Sequence, residues 1–413
     1  QRASQPAGCR GYFVAGPDME IVASRRVRSI GGYAFAEVER QVERLREQGV
    51  EPIDFGVGDP TDPTPEAVRR ACQRAVDAHA RSGYPSYTGS IEFRNAVAAW
   101  FSGRFGVALD PRTEVSSTVG SKEGVFHFAE GFIDPGDVVL CPNPGYPPYF
   151  RGTLFAEGEP APYAMRAEDD YLPDLEKVPR DVVRRAKAVW INYPNSPTGK
   201  VAPPEYLERC VRFARKNGLI LCSDEAYTEI YFTAEAPRSA LEFGKEGVLV
   251  FNSLSKRSMM TGYRVGYVAG DPRIVSIFRK VKTNIDSGTP NFCQEAAIAA
   301  LADETHVAAM RDEYRRRRDA LCSGLARAGL ERCVPEGTIY VWQRLPRGVT
   351  STDFATRLLA PEAAIVCTPG SWISHAAPDG TNPGDGYARF SLVPSFEATV
   401  VAAARLARIE FAR

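Results

Sequence analysis

The 413-residue sequence has no excess charge of either sign, since Lys plus Arg and Asp plus Glu both number 51. Without net positive charge it offers no overall potential to collect a polyanion, which argues against nucleic-acid binding. No run approaches the 18 apolar residues that suggest a membrane span, and the first residues, QRASQPAGCRGYFVAGPD, lack the basic-then-apolar order of a secretion signal. Its 9 cysteines are scattered and never spaced CxxC, so neither a zinc site nor a disulfide framework is suggested, and reduced thiols in a cytoplasmic protein are expected. No G-x-G-x-x-G follows an apolar run, which argues against a nicotinamide-dependent dehydrogenase. There is no internal repeat. Lysine is scarce, 9 against 42 arginines, so each lysine is worth placing.

What is present reads as a globular protein, with 44% hydrophobic and 25% charged residues, long enough for two domains. Short apolar runs at 137–141, 188–192, 219–223, 248–252 and 265–270 alternate with helix-periodic stretches such as 204–216. Continuous apolar strands separated by helices indicate a buried, largely parallel sheet covered on both faces, hence an α/β fold. The segment 34–48 places Phe35, Val38, Val42 and Leu45 on one helix face and ends at Gly49. A long helix at 304–328 is followed by strand 338–343, helix 352–360, strands near 364 and 387, and helix 395–411. We expect disorder over 1–18, a large domain over 60–290, and a smaller α/β domain built from 19–59 and 291–413. The loop 375–386, rich in Gly and Pro, is expected to be exposed and mobile.

In open α/β sheets, ligands sit beyond the carboxyl ends of the strands. The segments there carry unusual chemistry: NYPNSPTG after 188–192, SDEAY after 219–223, and SLSKRSMMTGYR after 248–252. Among them Lys256 is a primary amine, Asp224 a strand-end carboxylate and Arg264 a guanidinium. At 119–124, VGSKEG is a Gly-led turn opening a helix whose free amides can hold an anion, a weak signal alone.

Taken together, PNSPTG, SDEAY, SLSK with Arg264 eight residues beyond Lys256, and the 32-residue interval from Asp224 to Lys256 resemble the fold-type I, class I/II pyridoxal-phosphate aminotransferases. The resemblance implies a large domain with a mixed, mostly parallel seven-stranded sheet, a smaller C-terminal α/β domain, and pyridoxal 5′-phosphate as cofactor. It makes Lys256 the Schiff-base lysine and the base that moves a proton between substrate Cα and C4′. Asp224 would face the pyridine nitrogen and Tyr227 the ring's 3′ oxygen, while Tyr146 would stack on the ring. Ser121, Lys122, Ser253, Ser255 and Arg264 would hold the phosphate, joined by Tyr84 of a neighbouring subunit, which implies a homodimer. Arg389 would take the substrate carboxylate, helped by the amide of Gly58. Where the family has Asn before P-T-G this chain has Ser196, with Asn195 one place earlier; either the serine replaces the amide or the loop turns to bring Asn195 in.

Within the family, GGYAFAEVE, DFGVGDP, YPSYTGSIEFR, GSKEG and KTNIDSG are similar to the LL-diaminopimelate aminotransferase group, in which Tyr33, Lys122 and Asn291 match positions lining the substrate pocket. The amino acceptor would then be 2-oxoglutarate or another 2-oxo acid. The same scaffold also supports Cβ or Cγ elimination, replacement or carbon–carbon bond formation. In that alternative His127 or Lys122 could move the second proton, although a histidine inside VFHFAEGF also suits a packed core.

Overall fold

The computed structural model describes residues 21–28, 30, 36–377, 379–409 and 411. Seven strands form the central sheet, in the order Val115–Thr118, Gly266–Gly270, Val248–Ser253, Ile220–Asp224, Ala186–Asn192, Val138–Asn143 and Glu159–Ala164. Gly266–Gly270 alone runs against its neighbours; the other pairings are parallel. The mixed, mostly parallel α/β architecture is therefore as expected.

Side-chain alternation explains why the strands are apolar throughout. Leu140, Val189, Ile191, Leu221, Val250 and Ala269 enter one cluster, on the face covered by helices Ile91–Phe105 and Pro204–Lys216. Their neighbours Val139, Cys141, Trp190, Cys222, Leu249, Phe251 and Val268 point the other way, onto helices Ser121–Phe132 and Pro272–Ile285. With a period of two and both faces buried, every position must be apolar. Helix ends follow local chemistry: Ser90 Oγ accepts from Phe93 N–H at 3.1 Å to start Ile91–Phe105, and Gly106 at φ 69° ends it.

A second core surrounds the three-stranded antiparallel sheet Thr368–Pro369, Tyr387–Ser391 and Tyr340–Arg344, backed by helices Thr305–Arg327, Ser351–Leu358 and Phe396–Leu406. The early chain joins it. Ile53–Asp54 pairs in parallel with Ile365–Val366, Phe55 lies in this core, and Leu45 of helix Ala36–Glu47 packs against Leu359 and Val366. Helix Asn291–Leu301 lies beyond the expected boundary at 290, yet its Ala296, Ala297, Ala300 and Leu301 are buried in the large core. No described helix is long and apolar enough to cross a membrane.

Candidate active site

Parallel pairing sets Asn192 opposite Asp224 and Asp224 opposite Phe251, so the sheet presents a row of polar strand ends on one edge. Over that edge lies a cavity of about 620 Å³, closed from the other side by the loop 56–59 and by Tyr340 and Arg389 of the three-stranded sheet. It therefore lies between the two cores, at the position an α/β sheet reserves for ligands.

Lys256 sits in the short helix Leu254–Arg257, directly after strand Val248–Ser253, with its Nζ donating to Gly58 O at 2.5 Å. Burial lowers its pKa; Tyr340 and Asp59 oppose the shift, and the Arg389 and Arg264 guanidiniums add to it. The helix is braced from below, since Arg257 donates to Ala300 O at 2.9 Å and to Glu304 Oε1 at 2.5 Å. Asp224 is buried, accepting from Tyr149 Oη at 2.7 Å and from Ala226 N–H at 3.1 Å. Burial raises its pKa to about 6, partly offset by those two hydrogen bonds. Tyr149 is itself fixed by stacking on Trp190, with centroids 4.6 Å apart.

The turn 118–121 prepares an anion site. Helix Ser121–Phe132 has Gly120, at φ 75°, as its N-cap, so no side chain satisfies its first amides. A Cβ on Gly120 would overlap the guanidinium of Arg264, so only glycine permits that approach. Arg264 adopts a left-handed backbone (φ 52°, ψ 51°), costing an L-residue about 1–2 kcal/mol, and donates to Thr261 O at 2.7 Å. Ser253 Oγ and Ser255 Oγ lie 2.9 Å apart, and Ser121 Oγ is buried with no protein partner. An orphaned hydroxyl, two further hydroxyls, free helix amides and a guanidinium converge here. That donor set fits a phosphate, while a half-buried amine and a buried carboxylate elsewhere in the cavity fit an aldehyde and a ring nitrogen.

At the upper wall, Arg389 lies over the Tyr340 ring at 4.5 Å and donates to Gly56 O at 2.9 Å and Thr368 Oγ1 at 3.2 Å. Its Nε is buried without a partner. Tyr340 Oη is 3.2 Å from Tyr227 Oη. Burial would raise the Tyr340 pKa, but Arg389 and Lys256 outweigh it and lower it; Tyr227, without such cations, is raised by burial.

The cavity lining brings together Gly58, Ser121, Lys122, Tyr146, Ser196, Asp224, Tyr227, Ser253, Ser255, Lys256, Arg264 and Arg389, all singled out from sequence. Five other residues so singled out lie elsewhere or cannot be placed. Asn195 is fully buried beneath the loop, its Nδ2 donating to Asn192 O at 3.1 Å and its Oδ1 accepting from Thr198 N–H at 3.1 Å and Thr198 Oγ1 at 2.7 Å. With its amide committed, it is Ser196 that faces the cavity. Tyr84 is 85% exposed, Asn291 begins helix Asn291–Leu301 outside the lining, and Tyr33 lies outside the described residues. His127 is buried under the turn and does not line the cavity.

Sequence reasoning missed Tyr149, Asn192 and Tyr340. Tyr149 carries the signal of helical spacing, three residues after Tyr146 in PGYPPYF. Asn192, a polar residue closing an apolar strand, donates to Asp224 O at 2.9 Å and accepts from Ser196 N–H at 2.7 Å.

A half-buried amine, a buried carboxylate and an anion cradle sharing one cavity on this fold define a class of enzyme. The sequence profile of aminotransferase classes I and II matches residues 50–395, and the chain belongs to that family: it is a pyridoxal-phosphate-dependent aminotransferase. Among its relatives, the LL-diaminopimelate aminotransferase of Aquifex aeolicus is 43% identical over 392 residues, covering 94% of this chain and 99% of that protein. Among solved structures, substrate-bound BacF from Bacillus subtilis superposes with a TM-score of 0.87 at 30% identity, covering 96% of this chain and all of that one. A single mutant of Thermus thermophilus aspartate aminotransferase gives 0.86 at 32%, covering 94% and 99%.

Proposed function

We propose that this enzyme moves an amino group between a diaminopimelate-like amino acid and 2-oxoglutarate. The observation that carries the assignment of roles is the convergence of half-buried Lys256, buried Asp224 and the Arg389–Tyr340 pair on one cavity. The cofactor, when bound, supplies the carbonyl that receives the amino group and the ring that accepts the electrons of the broken Cα–H bond.

The chain's own residues do the rest. Ser121, Ser253, Ser255, Arg264 and the amides of the 119–122 turn hold the phosphate. Asp224, kept in place by Tyr149 and Ala226, would set a negative charge against the ring nitrogen, and Tyr146 would cover the ring. Tyr227 and Ser196, which line the cavity, would serve the 3′ oxygen. Arg389, whose Nε has no protein partner, takes the substrate α-carboxylate. Lys256, disfavoured as an ammonium by burial, takes the proton from substrate Cα and returns one on the other side of the transfer. Lys122, exposed at the cavity mouth, offers the cation for a second, distal carboxylate.

The working unit we propose is a cytoplasmic homodimer. Tyr84 is exposed and Tyr87 half-exposed, on a loop that abuts Gly288, which suits residues that complete a neighbouring subunit's site. The eight described cysteines are free thiols. The test is to add LL-diaminopimelate, glutamate and other amino acids singly to the yellow enzyme, recording the visible spectrum and product masses. Conversion to the pyridoxamine form by LL-diaminopimelate and by glutamate supports the reading. Conversion by glutamate with no response to LL-diaminopimelate overturns the substrate assignment.

A further inference from the structure

Directly beneath the turn 118–121 lies a closed ionic cluster that the chemistry above does not use. Lys282, on helix Pro272–Ile285, is completely buried, and its Nζ donates to Glu123 Oε1 at 2.9 Å and to Asp286 Oδ1 and Oδ2 at 3.0 and 2.9 Å. His127 Nδ1 lies 2.6 Å from Glu123 Oε1 and 3.6 Å from Asp286 Oδ2. Glu123, His127 and Asp286 are near enough to hold a metal ion, but the ammonium of Lys282 already sits among their oxygens. The cluster supplies its own cation.

Its outer contacts all go to main chain. Glu123 Oε2 accepts from Val119 N–H at 3.1 Å, and Asp286 Oδ1 accepts from Gly288 N–H at 2.6 Å. Thr289 Oγ1 then donates to Thr118 O at 3.0 Å. Two loops are thus held by one buried node. Residues 118–119, immediately before Gly120 and Ser121, are fixed through one carboxylate oxygen of Glu123 and one hydroxyl of Thr289. Burial would raise the Glu123 pKa, but His127 and Lys282 outweigh it and hold it at about 2, so the carboxylate that grips Val119 stays ionised.

We propose that Lys282 and His127 are positioning residues: by clamping Glu123 they fix the 119–121 turn, and through it set the enzyme's affinity for the phosphate of its cofactor. The inference rests on the reading that this turn takes the phosphate. None of the four side chains lines the cavity, so they act only through the backbone they hold.

The experiment strips the full-length enzyme of cofactor and titrates it with pyridoxal phosphate and with pyridoxal, which lacks the phosphate. Wild type and Lys282→Met are compared, with the double variant Lys282→Met, Glu123→Gln removing one charge of each sign in case the single variant fails to fold. The expected result is a loss of roughly tenfold in pyridoxal phosphate affinity, about one charge-assisted hydrogen bond, with pyridoxal affinity changed less than about twofold. The spectrum of the bound cofactor should stay as in wild type. A wild type that binds both compounds equally would remove the phosphate reading and the proposal with it. A wild type that prefers the phosphate, with variants that keep the same preference, would overturn the proposal alone. Equal losses for both compounds would reduce the cluster to general stability and also overturn it.

Discussion

Replacing Asp224 by asparagine should stabilise the cofactor-free enzyme at neutral pH while it destroys the chemistry. The carboxyl is fully buried, with one hydroxyl and one amide as donors and no cation among the causes of its shift, and burial raises its pKa from 3.8 to about 6. The sign follows from linkage. Between those values the unfolded chain has released a proton that the folded one still holds, so folding stability falls as pH rises through that window. At about 1.4 kcal/mol per tenfold change in proton affinity, the ionised carboxylate costs about 3 kcal/mol at pH 8, of which about 1 kcal/mol is already present at pH 4.5. Asparagine lacks this term. The melting temperature of Asp224→Asn relative to wild type should therefore rise by about 2 °C between pH 4.5 and pH 8 for a chain of this size. Neighbouring Glu225, raised by burial to about 7, titrates in both proteins and cancels in the comparison. Loading the cofactor should reverse the order, because the protonated ring nitrogen returns a partner to the carboxylate. A relative melting temperature that does not move with pH, measured by calorimetry on both cofactor-free proteins, would refute the reasoning.

Lys256→Ala should leave turnover below detection in a transamination assay, with cofactor still bound through the phosphate; retained activity would move the amine elsewhere. Arg389→Ala should raise KM at least tenfold for amino and oxo acids alike, since a charge-assisted contact to a common carboxylate is lost, and steady-state kinetics with both substrates checks it. Tyr149→Phe keeps the stack on Trp190 but removes the hydrogen bond that lowers the Asp224 pKa, so the stability transition of the cofactor-free enzyme should shift to higher pH. Gly58→Ala would drive a methyl into Tyr340 Oη, a ring pinned by Tyr227 and Arg389, and should cut kcat/KM by about tenfold or more while the thermal midpoint moves little.

The interior of the sheet was legible because burial on both faces leaves no choice of residue, and the five apolar runs fall on its central strands. Both edge strands escaped notice for physical reasons. Val115–Thr118 is mostly hydroxyl-bearing, VSST, yet entirely buried where it feeds the 118–121 turn. Glu159–Ala164 carries two prolines, which an edge strand tolerates because one side of its ladder is unpaired. Tyr340 was hidden for another reason. Alternation along its strand puts it on a face with Trp342, but nothing local tells whether that face meets the cavity. The small sheet must first pack over loop 56–59, contacts between residues nearly 300 positions apart.

The loop after strand Ala186–Asn192 shows most sharply where a motif stops being informative. By residue type Asn195 is the better hydrogen-bonding partner for a ring oxygen, having two N–H donors where the Ser196 hydroxyl has one. What decides the matter is the backbone's own need. Thr198 N–H and its hydroxyl both require an acceptor inside the turn, and the side-chain oxygen of Asn195 supplies it. Asn192, one strand end away, holds Ser196 N–H and Asp224 O at once, locking the loop against the carboxylate's strand. Turning Asn195 into the cavity would strand those buried donors at roughly 1–3 kcal/mol each. A serine facing the ring is thus the cheaper arrangement, and Ser196→Asn, with the loop unchanged, should add a donor there and shift the pH at which the bound cofactor changes colour; an unchanged titration would place the 3′ oxygen away from residue 196.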